Sequence, residues 1–192
     1  MKHPGQMNCC PSCCGGNEMN KQSFWGVIIV CLVFALAACA GVEVYSSNPE
    51  LQRVSNEYFN AELEPQLKPG QNFFSTFRFV LTNNTNKELQ IDWENTYYFL
   101  NGRKNGRFLW EGVTWDGLKE IRSKPLIPLA PGDTITGVIF PKKLVGRGSA
   151  MDRGGVQYTQ GALPEGENGM LLFVRQNGKV VREKMVVSIK TH

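Results

Sequence analysis

The chain is poor in the side chains that most enzymes use for nucleophilic and metal chemistry. Of its 192 residues only 2 are histidine, His3 and His192, and all 6 cysteines lie at or before Cys39. The part after Cys39 is therefore expected to hold no disulfide and no thiol chemistry. Cys/His zinc sites, a histidine-held haem and Ser-His-Asp or Cys-His nucleophile pairs are excluded there on the same ground. No metal and no cofactor are expected. None of the glycine-rich stretches ends in the GK[ST] of a phosphate-binding loop or follows a strand as GxGxxG, and no segment has EF-hand spacing. A formal net charge of +4 speaks for solubility more than for a polyanionic partner. The one Arg153-Gly154-Gly155 string is too isolated to mark an RNA-binding segment, so no nucleic acid is expected as a partner.

What the chain does have near its N-terminus is a long apolar run. Phe24 to Ala38, FWGVIIVCLVFALAA, carries no charge, follows Lys21 and ends in small residues. Basic, then apolar, then small is the layout of an export signal. Its 15 residues would rise about 22 Å as a helix, short of the ~30 Å hydrocarbon thickness. Extended over 24–42 the run nears the lower limit for a span, so an uncleaved anchor helix is the competing reading. The string Leu36-Ala37-Ala38-Cys39 resembles the lipobox of bacterial lipoprotein signal peptides. That resemblance implies cleavage between Ala38 and Cys39, a diacylglyceryl group on the Cys39 sulfur and an acylated new N-terminus, with palmitate-type chains as the membrane partner. Two or three acyl chains, at about 0.8 kcal/mol per methylene, give stable anchoring. Ala40 is not the aspartate that retains such proteins in the inner membrane of Gram-negative bacteria. The implied location is the outer membrane, facing the periplasm.

Upstream of the run lies CCPSCCGG, Cys9 to Gly16. It is either a metal or palmitoylation site or, with the true start at Met19, sequence outside the protein; one cluster alone does not make the paired knuckles of a four-sulfur zinc site. Cleavage before Cys39 removes it in either case. The expected organisation is a signal peptide over 1–38, a lipidated tether over 39–56 and a folded domain over 57–192. A short strand at Val42 to Tyr45 is the only structure expected in the tether, where Pro49 discourages regular backbone.

Beyond the tether the apolar period is two. Phe73, Ser75, Phe77, Phe79 and Leu81 share one strand face, and Leu89, Ile91 and Trp93 another. The turn composition Asn83-Asn84-Thr85-Asn86 between them predicts a hairpin. Asn177-Gly178 between two apolar-alternating arms predicts a type I′ hairpin, with Val181, Glu183, Met185, Val187 and Ile189 on one face of the second arm. Further strands are predicted at Tyr58 to Leu63, Thr96 to Leu100, Phe108 to Val113 and Thr134 to Phe140, and one helical turn near Asp116 to Ile121. About seven short strands with turn signals between them predict an all-β fold, an immunoglobulin-like antiparallel β-sandwich. From FRFVLTNNTNKELQIDWENTYYFLNGRKNG through IPLAPGDTITGVIFP and LPEGENGMLLFVRQNGK, the chain resembles a group of small uncharacterised bacterial lipoproteins and secreted proteins. The resemblance implies the sandwich and the envelope location and brings no catalytic residue.

Three features are candidates for function. The aromatics Trp93, Tyr97, Tyr98, Phe99, Phe108, Trp110 and Trp115 could form a platform for sugar or peptide, although alternating aromatics more often build a core. Arg103, Lys104 and Arg107 sit on the NGRKNGR loop, where basic residues meet phosphates or merely water. Gly146 to Gly169, with Arg147 and Arg153, is the longest stretch without a strand pattern and is expected to be a partner-contacting loop. Asp92, Glu94, Glu111 and Asp116 keep a two-carboxylate glycan hydrolase in view, although Asp92 and Glu94 are expected to face water on one strand face. The expectation is a non-catalytic, lipid-anchored envelope protein that binds or organises another envelope protein or a glycan.

Overall fold

A computed structural model of the chain describes residues 43–113, 128–152 and 155–192. The apolar run, Cys39, the helical turn expected near Asp116 to Ile121, Trp115 and Arg153 lie outside the described residues. Those described fold as an antiparallel β-sandwich, as the alternation predicts.

One sheet contains β2 (Gln52–Ser55), β3 (Phe59–Leu67), β4 (Phe74–Asn83), β10 (Thr134–Pro141) and β8 (Phe108–Trp110), in the order β2-β3-β4-β10-β8. Phe77, Phe79 and Leu81 of β4 point inward with Phe59, Ala61 and Leu63 of β3 and Ile139 of β10. On the outer face Arg78 meets Glu64 at 2.8 Å and Glu62 at 3.4 Å across the β3–β4 pair. The period-two pattern is thus read directly as inside and outside.

The facing sheet runs β1 (Tyr45–Asn48), β14 (Lys179–Thr191), β13 (Gly166–Gln176), β5 (Leu89–Ile91) and β9 (Pro128–Leu129). Alongside β5, β13 also pairs with β6 (Tyr97–Leu100), which forms a hairpin with β7 (Arg103–Lys104). Met170, Leu172 and Val174 of β13 and Met185, Val187 and Ile189 of β14 complete the core. Phe108 packs edge-on between Phe77 and Tyr98, with ring centroids 6.2 and 5.9 Å away. Such aromatic pairs contribute about 0.5–1.5 kcal/mol beyond the area they bury. Burial holds the Tyr98 hydroxyl far above its ordinary pKa of 10.0, so it stays protonated and donates to Asn168 Oδ1.

The Asn177-Gly178 hairpin forms as predicted, with φ of 49° and 80° at its two turn residues and Gln176 opposite Lys179. Glu183, which interrupts the apolar face of β14, is half-buried and accepts a hydrogen bond from Asn56 Nδ2 at 2.9 Å.

Five expectations are corrected. The strand count exceeds seven, because the tether adds β2 and the two-residue strands β7 and β9 add short pairings; the long β13 is partnered by both β5, at Val174–Arg175, and β6, at Asn168–Leu171, which a turn at Asp92–Asn95 separates. The tether over 39–56 is sheet in its second half. β1 pairs with β14, β2 pairs with β3, and the chain passes between the sheets through the cis Asn48–Pro49 bond. The short strand expected at Val42 to Tyr45 begins instead at Tyr45. Val44 and His192 exchange backbone hydrogen bonds of 3.2 and 3.0 Å just beyond its end.

Gly146 to Gly169 is not a long loop. β11 (Val145–Asp152) and β12 (Gly155–Gln160) form a separate two-stranded ribbon with an irregular register between Arg147 and Met151. Val145 at its start packs against the small cluster of Leu109, Val113 and Phe140, and the stretch carries no apolar alternation to announce its strands.

The fifth correction concerns Asn83 to Asn86, which join β4 of one sheet to β5 of the other and make no hairpin. Asn83 is buried at this corner. Its Nδ2 donates to the carbonyl oxygens of Lys87 at 2.7 Å and of Leu129 and Ala130 at 3.0 Å. Its Oδ1 accepts from the N–H and Oγ1 of Thr85, at 2.9 and 2.8 Å. The Asn83 N–H and carbonyl bond Asp133 and Gly132 at 2.9 and 3.1 Å. One amide therefore closes two of the crossings between the sheets, β4 to β5 and β9 to β10. Asn83→Ala is expected to cost about 2–3 kcal/mol, because the buried Leu129 carbonyl loses this donor and Thr85 its acceptor. Asn83→Asp, though closer in shape, is expected to cost more, since it aims an acceptor at three carbonyl oxygens. Urea unfolding of both variants measures the order, and an aspartate variant as stable as wild type would contradict it.

Candidate ligand groove on the outer face of the longer sheet

The outer face of the β6–β13–β14 region carries the residues that alternate with the core. These are Tyr97 and Phe99 of β6, Leu171 and Phe173 of β13, and Arg182 and Lys184 of β14; the register sets Leu171 opposite both Tyr97 and Lys184. The Asn101-Gly102 turn, with φ of 49° and 75°, reverses the chain so that Lys104 stands opposite Phe99. Asn101 fastens this turn to β13, its N–H donating to Glu167 O and its Oδ1 accepting from Glu167 N, both at 2.8 Å.

Tyr97, Phe99, Gly102, Lys104, Leu171 and Lys184 line a groove of about 240 Å³. Lys104 Nζ lies 4.5 Å from the centre of the Tyr97 ring and Lys184 Nζ 4.7 Å from that of Phe99. Beside them Arg182 stacks on Phe173 at 5.3 Å, and Phe173 lies 6.4 Å from Tyr97. Glu167 of β13 lies on the same face, but among the described residues no carboxylate ion-pairs with Lys104, Lys184 or Arg182. The ammonium groups rest on aromatic faces instead. An exposed cation–π contact is worth about 0.5–1 kcal/mol, whereas a hydrogen bond to a charged group is worth about 1.5–3 kcal/mol. An arriving anion therefore draws either lysine off its ring, and the flexible four-carbon stem lets it swing. Charge capture and exposure of an aromatic face are the same movement.

Gly169 explains why Phe99 can form the floor. The register sets Phe99 opposite Gly169, and a Cβ there would stand 2.1 Å from Met185 O and 2.5 Å from Phe99 Cζ. The ring lies down over β13 only because that side chain is missing, which is the aromatic covering of a strand glycine.

The other predicted site residues are dispersed. Trp93, Tyr98 and Phe108 are core, as the alternation suggests, and Tyr97 with Phe99 belongs to the groove. Of the basic loop, Lys104 enters the groove; Arg103 faces away from it and is exposed, and Arg107 is half-buried, its carbonyl accepting from Lys142 N at 2.9 Å. Arg147 lies on the ribbon opposite Tyr158. Sequence reasoning missed Lys184 and Gly169. The one was legible only as part of a polar strand face, the other only as a glycine inside a strand.

Asp92 and Glu94 do not share a solvent face. β5 ends at Ile91, and the turn that follows buries Asp92 while leaving Glu94 exposed. Asp92 Oδ2 accepts from Arg175 at 2.5 and 2.7 Å and from Asn95 Nδ2 at 2.8 Å, and its Oδ1 accepts from Asn95 N at 3.1 Å. Burial pushes its carboxyl pKa up, but the bonds from Asn95 and the Arg175 guanidinium outweigh burial and hold it below 3.8. That is the opposite of what a proton donor in glycan hydrolysis requires. Glu111 is exposed, and Asp116 lies outside the described residues. Ser46 Oγ and His192 Nε2 do meet, at 2.9 Å, on an exposed sheet edge; among the described residues no carboxylate hydrogen-bonds the imidazole to orient it as a base. No group of three His, Cys, Asp or Glu among the described residues is placed to hold a metal ion.

Two expectations can be checked by unfolding. Gly169→Ala should lose at least ~2 kcal/mol through overpacking against Met185 and Phe99; unchanged urea unfolding would show that Phe99 does not occupy that seat. A carboxyl whose folded pKa is depressed contributes stability above its unfolded pKa and loses it as pH falls through the folded value. The melting-temperature gap between wild type and Asp92→Asn should therefore be open at pH 7 and narrow below about pH 4. A gap independent of pH would rule out the ion pair as its source. Searched against protein-family models, curated proteins and solved structures, the chain finds no match in any of the three, and the groove stands on its own geometry.

Proposed function

We propose that this chain is a non-catalytic lipoprotein of the bacterial cell envelope, anchored through acylated Cys39 and serving as a binding or organising module. The observation that carries the reading is the string Leu36-Ala37-Ala38-Cys39 at the end of an uncharged apolar run. The start of the sandwich supports it, since β1 begins at Tyr45 and leaves only a short leash after the cysteine. Among the described residues no helix is long and apolar enough to cross a membrane. The lipobox resemblance, with Ala40 and not aspartate after the cysteine, gives the outer membrane, facing the periplasm, as the location. The module's contact surface is the groove between Tyr97 and Lys184, in place of the glycine-rich stretch that the sequence favours. The hydrolase reading gains no support from Asp92, which is committed to Arg175.

The test is lipid mass and partition. In a Gram-negative host, wild type is expected to enter the detergent phase, to begin at Cys39 and to carry two or three acyl chains. Cys39→Ala is expected to lose the added mass and the cleavage at that site. Wild-type protein that starts upstream of Cys39 without added lipid would overturn the proposal in favour of an uncleaved anchor.

A further inference from the structure

We infer that the groove lined by Tyr97, Phe99, Leu171, Lys104 and Lys184 binds a single anionic sugar ring, carboxylated or phosphorylated, of an envelope glycan. The inference deepens the binding-module reading and rests on it for the glycan's availability.

Size, shape and charge each narrow the ligand. At about 240 Å³ the groove is smaller than the ~300–1,000 Å³ of sites for drug-sized molecules, so it accepts one ring and not a folded peptide segment. Its floor and wall are the Phe99 ring, Leu171 and the Tyr97 ring, apolar surfaces suited to the C–H face of a pyranose. Lys104 and Lys184 both line it, and neither ion-pairs with a carboxylate among the described residues. A ring with an apolar face and an anionic substituent satisfies both parts at once. A neutral sugar would leave the ammonium groups on their aromatic faces, and a small inorganic anion would leave the apolar floor uncovered. Arg182, stacked on Phe173 next to the groove, adds positive potential where a neighbouring sugar of the polymer would lie.

The test is calorimetric titration of the full chain, purified from membranes in neutral detergent, at about 50 mM NaCl to limit screening. The probes are trigalacturonate, glucose 6-phosphate, neutral cellotriose, inorganic phosphate and glycerol 3-phosphate, the water-soluble anionic part of a lipid headgroup. Binding of trigalacturonate or glucose 6-phosphate, at least about tenfold tighter than of cellotriose or inorganic phosphate, is expected, and the stronger of the two identifies the anion. The double variant Lys104→Gln/Lys184→Gln should weaken that binding by at least about tenfold, in line with the loss of charge-assisted hydrogen bonds. Its melting temperature should stay near wild type, and Lys142→Gln, an exposed charge away from the groove, should bind as wild type does. Equal binding of cellotriose, of inorganic phosphate or of glycerol 3-phosphate would overturn the assignment, as would a double variant that binds normally. The mass of the Cys39 peptide is read on the same preparation. Lipid without sugar binding sinks the groove assignment alone, and sugar binding without lipid sinks the anchor alone.

Discussion

The fold turns on the carboxamide of Asn83. Two of the crossings between the sheets, β4 to β5 and β9 to β10, run past this side chain, and its two amide hydrogens are shared among three backbone carbonyls, of which that of Leu129 is buried. A buried carbonyl left unpaired costs about as much as a typical point mutation, so the corner is closed either completely or at a large penalty. The consequences run outward along the hydrogen-bond ladders. The corner fixes where β5 begins, β5 pairs with one end of β13, and the turn after it, locked by Asp92 and Arg175, delivers β6 to the other end. The groove rests on β6 and on its hairpin partner β7. A side chain in the interior of a crossover thereby governs the position of a surface site on another strand.

How much of this the sequence discloses depends on whether the cause is local. The Asn177-Gly178 turn, the inward residues of β4 and the apolar face of β14 are all legible, because a two-residue turn and a period-two alternation are properties of adjacent residues. The Asn83 to Asn86 segment reads correctly as a turn and incorrectly as a hairpin. Composition says that the chain reverses there, and only the carbonyls of Leu129 and Ala130, more than forty residues on, decide that it changes sheets. Asp92 is similar. On a strand extended to Glu94 it would face water, but the strand stops at Ile91, and the guanidinium that captures it comes from Arg175. The ribbon of β11 and β12 escapes a pattern search for a different reason: its glycine-rich sequence has no period-two alternation.

The groove shows the same division. Lys104 and the aromatics are visible as candidates, each in its own stretch. Their combination with Lys184 needs the register of two strand pairs, which no single stretch contains. Gly169 carries the most structural information for its size. Its missing side chain lets an aromatic ring from the next strand lie flat, and that ring is in turn the seat for a lysine from the strand beyond. Three strands are thus keyed to one another by a residue with no functional group.

The pairing of β1 with β14 has a kinetic meaning. Ser46 finds its partner His192 at a separation of 146 residues, so the sheet edge is completed only when nearly the whole domain is available as polypeptide, and distant pairings of this kind form slowly. The outer edge of β14 therefore keeps its backbone donors and acceptors open until the first strand of the sandwich arrives at the last, and an open strand edge is a template for pairing with a second chain.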